Sequence, residues 1–496
     1  MAKSKSLIRD SAIYGGSAIL VKMLNYLLVP LFTYNLAKSD FGMMTNLYAY
    51  IALIIVILTF GMETGFFRFA NQTEKYRPHT VYSTTLLIVG GITLLFLIIF
   101  LSFLPSIRPY LWIDEIPDNY IRMTLIILSM DTISAIPFVY LRYRKKAGKF
   151  GFLKLLNVIL YILFCVFFLV VCPWINRHCP SLISWFWIDD FRLGYILISN
   201  LLATGIQTVC LFTEVIGFRY KWDGRLALEM FRYCFPLMIM GLAGMSNQVV
   251  DKLVFPHVYP DPKSALDELG VYGACFKIAL IMMMFTQAFR YAYEPYVFEK
   301  SKDRDARQSY ADVMKYFVLL GLLVFLGVVF YLDIIKYFIE REYFGALHVV
   351  PIVLIGELFF AVYFNLSFWY KLTDKTYWGA VFSTIASVVI IGVNIFFIPR
   401  YGYMACAWAP FIGNGLIVLL SYFIGQKNYP IRYDLKTIGL YTFLAAALFT
   451  VSYFVPIGHA GWHMAFNTIL LAVYIFVLVK RDLPVKEIPY INQFIK

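Results

Sequence analysis

Fourteen stretches of about 20 predominantly apolar residues run through this chain, each long enough to cross a hydrocarbon core of roughly 30 Å as a helix. They lie near residues 11–34, 43–69, 81–104, 120–141, 152–172, 193–216, 231–255, 271–295, 314–338, 348–370, 378–398, 402–424, 438–455 and 462–479. Lipid offers no water to bond backbone N–H and C=O groups, so such stretches fold as helices that close their own hydrogen bonds. The sequence therefore predicts an all-α polytopic membrane protein of about 14 transmembrane helices. Charged residues make up only 15% of the chain, against roughly 25% in a soluble domain.

The net charge of +13 would suit nucleic acid, but no zinc spacing, RNP motif or long basic helix accompanies it. The basic residues instead mark sides of a membrane. With fourteen spans, one set of loops and both termini hold about 26 Lys and Arg and the opposite loops about 7, so both termini are expected in the cytoplasm. The densest cluster, Arg142, Arg144, Lys145, Lys146 and Lys149, falls on the first side, and Asp114, Glu115 and Asp118 on the second. The basic N-terminus leads into a run too long for a cleaved signal, which reads as a retained first span. Seven cysteines, an odd number and mostly within apolar runs, form no disulfide framework.

No outer loop exceeds about 20 residues, which leaves little room for an extramembrane catalytic domain. The loops carry no Walker lysine motif, no His-Glu-x-x-His and no Gly-x-Ser-x-Gly. A transporter is expected rather than an enzyme, with no cofactor and no metal site.

Charges inside the spans are the candidate site. Each ionised group at mid-bilayer costs about 2.5 to 3.5 kcal/mol on insertion scales, so such groups imply a wet interior. Lys22 and Asn25 share one face of the first span with Tyr26 and Val29, ahead of Pro30, a candidate kink. In the seventh span Asn247 and Asp251 are four apart, as are Gln248 and Lys252; Lys277 in the eighth span lies at a depth where it can pair with Asp251. Arg290 and Glu294 follow near the cytoplasmic end of that span, with Glu63 and Arg68 at the equivalent depth of the second. Asp131 and Glu357 are isolated mid-span carboxylates, candidates to carry coupling protons. Each of these charges also has a plain structural reading as a neutralised pair or a protonated carboxyl. Gly15-Gly16, Gly90-Gly91 and Gly241 with Gly244 are candidates for close helix approach.

A faint internal repeat relates Phe41-Gly42, opening the second span, to Leu269-Gly270, opening the eighth, each followed by Ala-Leu-Ile (Ala52-Leu53-Ile54, Ala279-Leu280-Ile281). It suggests a six-span lobe over 1–216, a second over 217–424, and two further spans with a cytoplasmic tail over 425–496. Repeats of this kind, with a site at mid-membrane, are common in secondary transporters.

The opening Leu7-Ile8-Arg9-Asp10-Ser11-Ala12-Ile13-Tyr14-Gly15, then Leu28-Val29-Pro30-Leu31, Phe41-Gly42, and Leu269-Gly270-Val271-Tyr272 followed by Lys277, Ala288 and Pro295, resembles the polysaccharide repeat-unit flippases. These belong to the multidrug, oligosaccharidyl-lipid and polysaccharide exporter superfamily. The resemblance implies two six-helix lobes in a V-shaped bundle plus two C-terminal helices, working by alternating access. It implies as cargo an oligosaccharide on undecaprenyl pyrophosphate, moved to the outer leaflet of a bacterial inner membrane for surface polysaccharide synthesis. Lys22, Asn25, Asn247, Lys252, Lys277 and Arg290 would line the cavity and hold the pyrophosphate or sugars, because cations bind phosphate through charge-assisted hydrogen bonds. Asp251, Asp131, Glu357 and Glu63 would form ion pairs or couple transport to H+ or Na+, with the membrane potential as a further source of drive. A glycan polymerase machinery is the implied protein partner. A drug or cation exporter of the same superfamily is the leading alternative; a glycan polymerase or ligase and a scaffold are the others.

Overall fold

The computed structural model describes residues 2–111, 116–216, 220–300, 306–373, 375–455 and 460–482, with side chains described for these except 2–13, 109–111, 292, 294–300, 306 and 460. Asp114, Glu115 and the side chain of Glu294 lie outside the described residues. Among the described residues every regular element is a helix, and fourteen are long and apolar enough to cross a membrane. In order they are Tyr14–Thr33, Lys38–Ala70, Pro78–Ser102, Asp118–Tyr143, Ala147–His178, Arg192–Glu214, Gly224–Val258, Pro262–Tyr291, Arg307–Phe330, Arg341–Leu372, Tyr377–Tyr401, Tyr403–Asn428, Leu435–Phe454 and Gly461–Arg481. Several begin earlier than their apolar runs because polar residues cap them. The seventh starts at Gly224, where the Asp223 side chain accepts from the N–H groups of Arg225 and Leu226 at 3.0 Å each.

Three spans are interrupted for an identifiable local reason, and the tenth also breaks, at Ser367. Pro30 has no N–H to give the Tyr26 carbonyl, and the first span breaks at Leu27 between helices Ala2–Tyr26 and Leu28–Thr33. The second breaks at Phe60 and Gly61, both left-handed at φ 52° and 68°. A phenylalanine held there costs on the order of 1 kcal/mol, and the turn re-aims the short helix Met62–Ala70 that carries Glu63. In the fifth, Pro173 follows a π-helical turn at Phe167–Val171, the register shift expected where one i→i−4 bond is missing.

Two compact units divide the chain: one of Met1–Ala274 with Ser383–Ala409, the other of Cys275–Phe382 with Pro410–Lys496. The first is packed around Met62, Phe66, Tyr82, Tyr140, Met230 and Cys234, with the Tyr82 and Tyr140 rings stacked 4.0 Å apart. In the second, hydrogen bonds that apolar packing alone would not supply in lipid fasten the fourteenth span to the ninth and the thirteenth to the fourteenth. Tyr474 donates to the Leu319 carbonyl at 2.9 Å, and Asn467 donates to the Phe330 carbonyl at 3.1 Å while accepting from Ser452 at 2.7 Å.

A close backbone approach in the first unit joins the two glycines of the sequence repeat. A Cβ on Gly42 would overlap the carbonyl oxygen of Leu266 and come within 3.2 Å of the Gly270 nitrogen. A Cβ on Gly270 would overlap the carbonyl oxygen of Lys38 and come within 3.1 Å of the Gly42 nitrogen. Each glycine thus faces the carbonyl four residues before the other, a reciprocal contact like that across a local two-fold axis. Of the glycines expected to serve close approach, Gly241 does, facing a Val56 methyl of the second span at 3.1 Å, whereas Gly16, Gly90, Gly91 and Gly244 have nothing within 4 Å of an added Cβ. Sequence marks where glycine occurs, but only the helix face decides whether a neighbour's backbone stands opposite.

Candidate functional site

The seventh span holds two adjacent buried charges. Asp251 and Lys252 are 6% and 9% exposed. Neighbouring residues on a helix normally diverge by about 100°, yet here the flexible lysine stem folds back. Its Nζ donates to Asp251 Oδ1 and Oδ2 at 3.0 and 2.8 Å and to the Gln248 carbonyl at 3.2 Å. Tyr272, fully buried, donates to Asp251 Oδ2 at 2.7 Å, and its ring lies 5.6 Å from the Lys252 ammonium. The lysine that holds this carboxylate is its chain neighbour, a member of the same polar strip in the sequence. The result is a neutral, hydrogen-bonded pair, far cheaper to bury than either charge alone.

Two prolines explain why polar side chains gather here. Pro256 cannot donate to the Lys252 carbonyl four residues earlier, and the Asn46 amide takes that carbonyl at 2.8 Å. Pro410 likewise releases the Cys406 carbonyl, which Tyr272 Oη approaches at 3.4 Å. Asn46→Leu should leave a buried carbonyl unsatisfied and cost about 1 to 3 kcal/mol. The check is the melting temperature of the purified protein, which should fall; an unchanged value would mean that water reaches the Lys252 carbonyl. One turn before the pair, Asn247 Oδ1 accepts from Ser387 Oγ at 2.7 Å, so this amide belongs to the packing of the seventh span on the eleventh.

A second constellation in the same unit spans the second, fourth and fifth spans. Arg142 donates to Glu63 at 3.3 Å and lies 5.5 Å from the centre of the Phe67 ring. Lys154 rests 4.0 Å over the Phe138 ring, and the charges of Asp131, Glu63 and Arg142 act on it. Asp131, isolated in sequence, thus feels the charge of a lysine one span away. Sequence reading missed Lys154 because it opens its apolar run beside the basic loop cluster. Beside these charges runs a polar track: Tyr48 and Tyr161 hydroxyls 3.3 Å apart, Asn200 donating to Tyr48 at 3.0 Å, and Thr204 donating to Asn200 at 3.2 Å. The track is the internal hydrogen bonding that polar groups at membrane depth require.

Lys22 and Asn25 are exposed on the first span, in the same unit. Lys277, Arg290 and Glu357 belong to the second unit, where all three are half-buried. There the Arg290 guanidinium lies 3.6 Å over the Phe364 ring, and Lys371 Nζ is 4.2 Å from the same ring centre. Two cations on one ring place positive charge where a low-dielectric wall strengthens it. Lys371, at a span end, carried no signal that sequence reading could weigh. Among the described residues no group of three or more His, Cys, Asp and Glu is placed to hold a metal ion.

The fold is known from solved structures. The chain is similar to the lipid II flippase MurJ in an inward closed conformation, with a TM-score of 0.71 and 15% identity, over 95% of this chain and 99% of that one. It is also similar to a multidrug resistance MATE family transporter of the MOP superfamily in its inward-facing conformation, with a TM-score of 0.66 and 10% identity, over 85% and 95% of the two chains. The outward-facing form of a MATE transporter aligns with a TM-score of 0.54 and 13% identity, over 88% and 96%. No family model matches the chain. An uncharacterized membrane protein of Haemophilus influenzae is 22% identical over 403 residues, 79% of this chain and 91% of that protein. At these identities the likeness establishes architecture: the chain has the fold shared by MurJ and the MATE transporters.

Proposed function

We propose that the protein is a flippase that carries undecaprenyl-pyrophosphate-linked oligosaccharide repeat units from the cytoplasmic to the outer leaflet of a bacterial inner membrane by alternating access. The likeness to MurJ over 95% of the chain carries this reading, since MurJ is a flippase of lipid II. Cations within the spans, Lys22, Lys154, Lys252, Lys277 and Arg290, suit a pyrophosphate, which binds ammonium and guanidinium groups through charge-assisted hydrogen bonds. Asn25 and Asn247 would contribute bonds to sugar hydroxyls. The lobes are taken as 1–216 and 217–424, with the reciprocal Gly42 and Gly270 contact supporting a repeat.

Coupling is assigned to Asp131 with Lys154, to Asp251 with Lys252, and to Glu357 and Glu63. A carboxylate whose lysine partner is drawn away by an arriving anion becomes free to take up H+ or Na+. An inside-negative potential adds about 2.3 kcal/mol per charge per 100 mV to outward movement of an anion. Surface-polysaccharide synthesis and contact with its polymerase machinery follow from this cargo, and both termini are placed in the cytoplasm by the basic-residue count.

The test is restoration of surface glycan in a flippase-null cell at matched membrane expression. Wild type should restore display, whereas Lys22→Ala, Lys154→Ala and Lys277→Ala should each lower it at least tenfold and accumulate lipid-linked repeat units on the cytoplasmic face. Full activity of all three would mean that these cations are structural. The likeness to a multidrug transporter supports a second reading, an exporter of organic cations using Asp131 and Glu357. Efflux of a cationic dye lost in Asp131→Asn, without any restoration of glycan, would select it.

A further inference from the structure

At the end of the first unit that the basic-residue count assigns to the cytoplasm, a cleft of about 460 Å³ opens between the last turn of the helix Met62–Ala70, the turn that follows it, and the start of the seventh span. Its polar lining is Arg68, Gln72, Lys75, Glu229, Arg232 and Tyr233. Three cations thus share one cleft with a single carboxylate. That carboxylate is already engaged: Lys75 Nζ donates to both Glu229 oxygens, at 2.9 and 2.7 Å. Arg68 sits over the Tyr233 ring, its guanidinium carbon 4.0 Å from the ring centre, a cation–π contact that holds the group without using its N–H donors. Neither Arg68 nor Arg232 has a carboxylate within ion-pair distance among the described residues.

Two guanidinium groups from two elements line this one cleft, one of them held on an aromatic ring, and a guanidinium fork matches phosphate oxygens bidentately. Like charges held together in this way repel unless an anion lies between them. We propose that this cleft is a binding site for a phosphate-bearing anion, held by Arg68 and Arg232 with Gln72 as a further donor, and weakened by Glu229, which holds Lys75 back. The phosphate belongs either to the headgroup of an anionic lipid at the membrane surface or to a soluble molecule. The site does not depend on the transport reading, because its test reads binding alone.

The experiment uses the full-length protein in phosphatidylcholine nanodiscs, titrated with inorganic pyrophosphate by calorimetry at low salt. A parallel arm measures the enrichment of phosphatidylglycerol around the protein in mixed-lipid nanodiscs by native mass spectrometry. Arg68→Gln and Arg232→Gln should each weaken the bound phosphate at least tenfold, whereas Glu229→Gln, which releases Lys75, should tighten it several-fold. Pyrophosphate binding that follows this pattern identifies a soluble ligand; phosphatidylglycerol enrichment that follows it identifies a headgroup. Affinity and enrichment unchanged in the double arginine variant would overturn the site. So would an equal loss in Lys221→Gln, an exposed charge outside the cleft, since that outcome describes a diffuse surface potential. Because Glu229→Gln is expected to gain binding, poor folding of an arginine variant leaves the sign of its effect as an independent check.

Discussion

Gly42→Leu is expected to abolish recovery of folded protein, and Gly42→Ala to lower the melting temperature sharply. The atom in the way of the new Cβ is the carbonyl oxygen of Leu266, part of a helix backbone that cannot rotate aside as a side chain can. Overpacking a core usually costs about 1 to 3 kcal/mol; with backbone as the obstacle the upper end applies to Ala and more to Leu. Gly270→Ala should behave alike, because its Cβ meets the Lys38 carbonyl in the same way. Gly90→Ala serves as the control: open space surrounds it, and the better helix propensity of alanine should leave stability level or about 0.5 to 1 kcal/mol higher. Thermal unfolding followed by detergent size-exclusion chromatography separates the three. If Gly42→Ala melts with Gly90→Ala, the two helices do not pack as closely as described.

This pair of glycines also shows how much of the molecule was legible beforehand. Apolar run length alone marks all fourteen spans, because lipid admits one solution for a backbone of that length. Sequence comparison of the chain with itself relates Phe41-Gly42 to Leu269-Gly270, yet says nothing of their meeting. Their contact depends on which helix faces turn together, and spans that are apolar all round carry little periodicity to reveal it. The interior charges were equally visible as types and hidden as partners. Asp131 and Lys154 sit on different spans, so no spacing links them. Asp251 and Lys252 are adjacent, and helix geometry argues against their pairing until the reach of a lysine stem is counted. Pro30 is the counter-example: a missing N–H acts within four residues of itself, and the break at Leu27 follows from sequence directly.

Asp251→Asn should produce the largest loss among the charge variants, and a double replacement should explain it. With the carboxylate charge gone, the Lys252 ammonium, 9% exposed, loses its counter-charge and faces a neutral amide instead. Removing one partner of a buried pair costs about 3 to 5 kcal/mol, whereas replacing both by apolar groups of similar size is often neutral or stabilising. The single variant should therefore melt well below wild type, and Asp251→Leu with Lys252→Met should recover most of that stability. Transport then separates structure from mechanism. A pair that serves only to neutralise buried charge leaves the double variant active. A pair that opens when cargo or a coupling ion arrives leaves it folded and inactive, since no charge remains to exchange partners. Tyr272→Phe refines the outcome: it removes the 2.7 Å bond to Asp251 but keeps the ring beneath Lys252. It should cost about 1.5 to 3 kcal/mol, the range for a hydrogen bond to a charged group. Equal melting of wild type and Asp251→Asn would show that the lysine finds water, and the pair would then lie at a wet surface during part of the cycle.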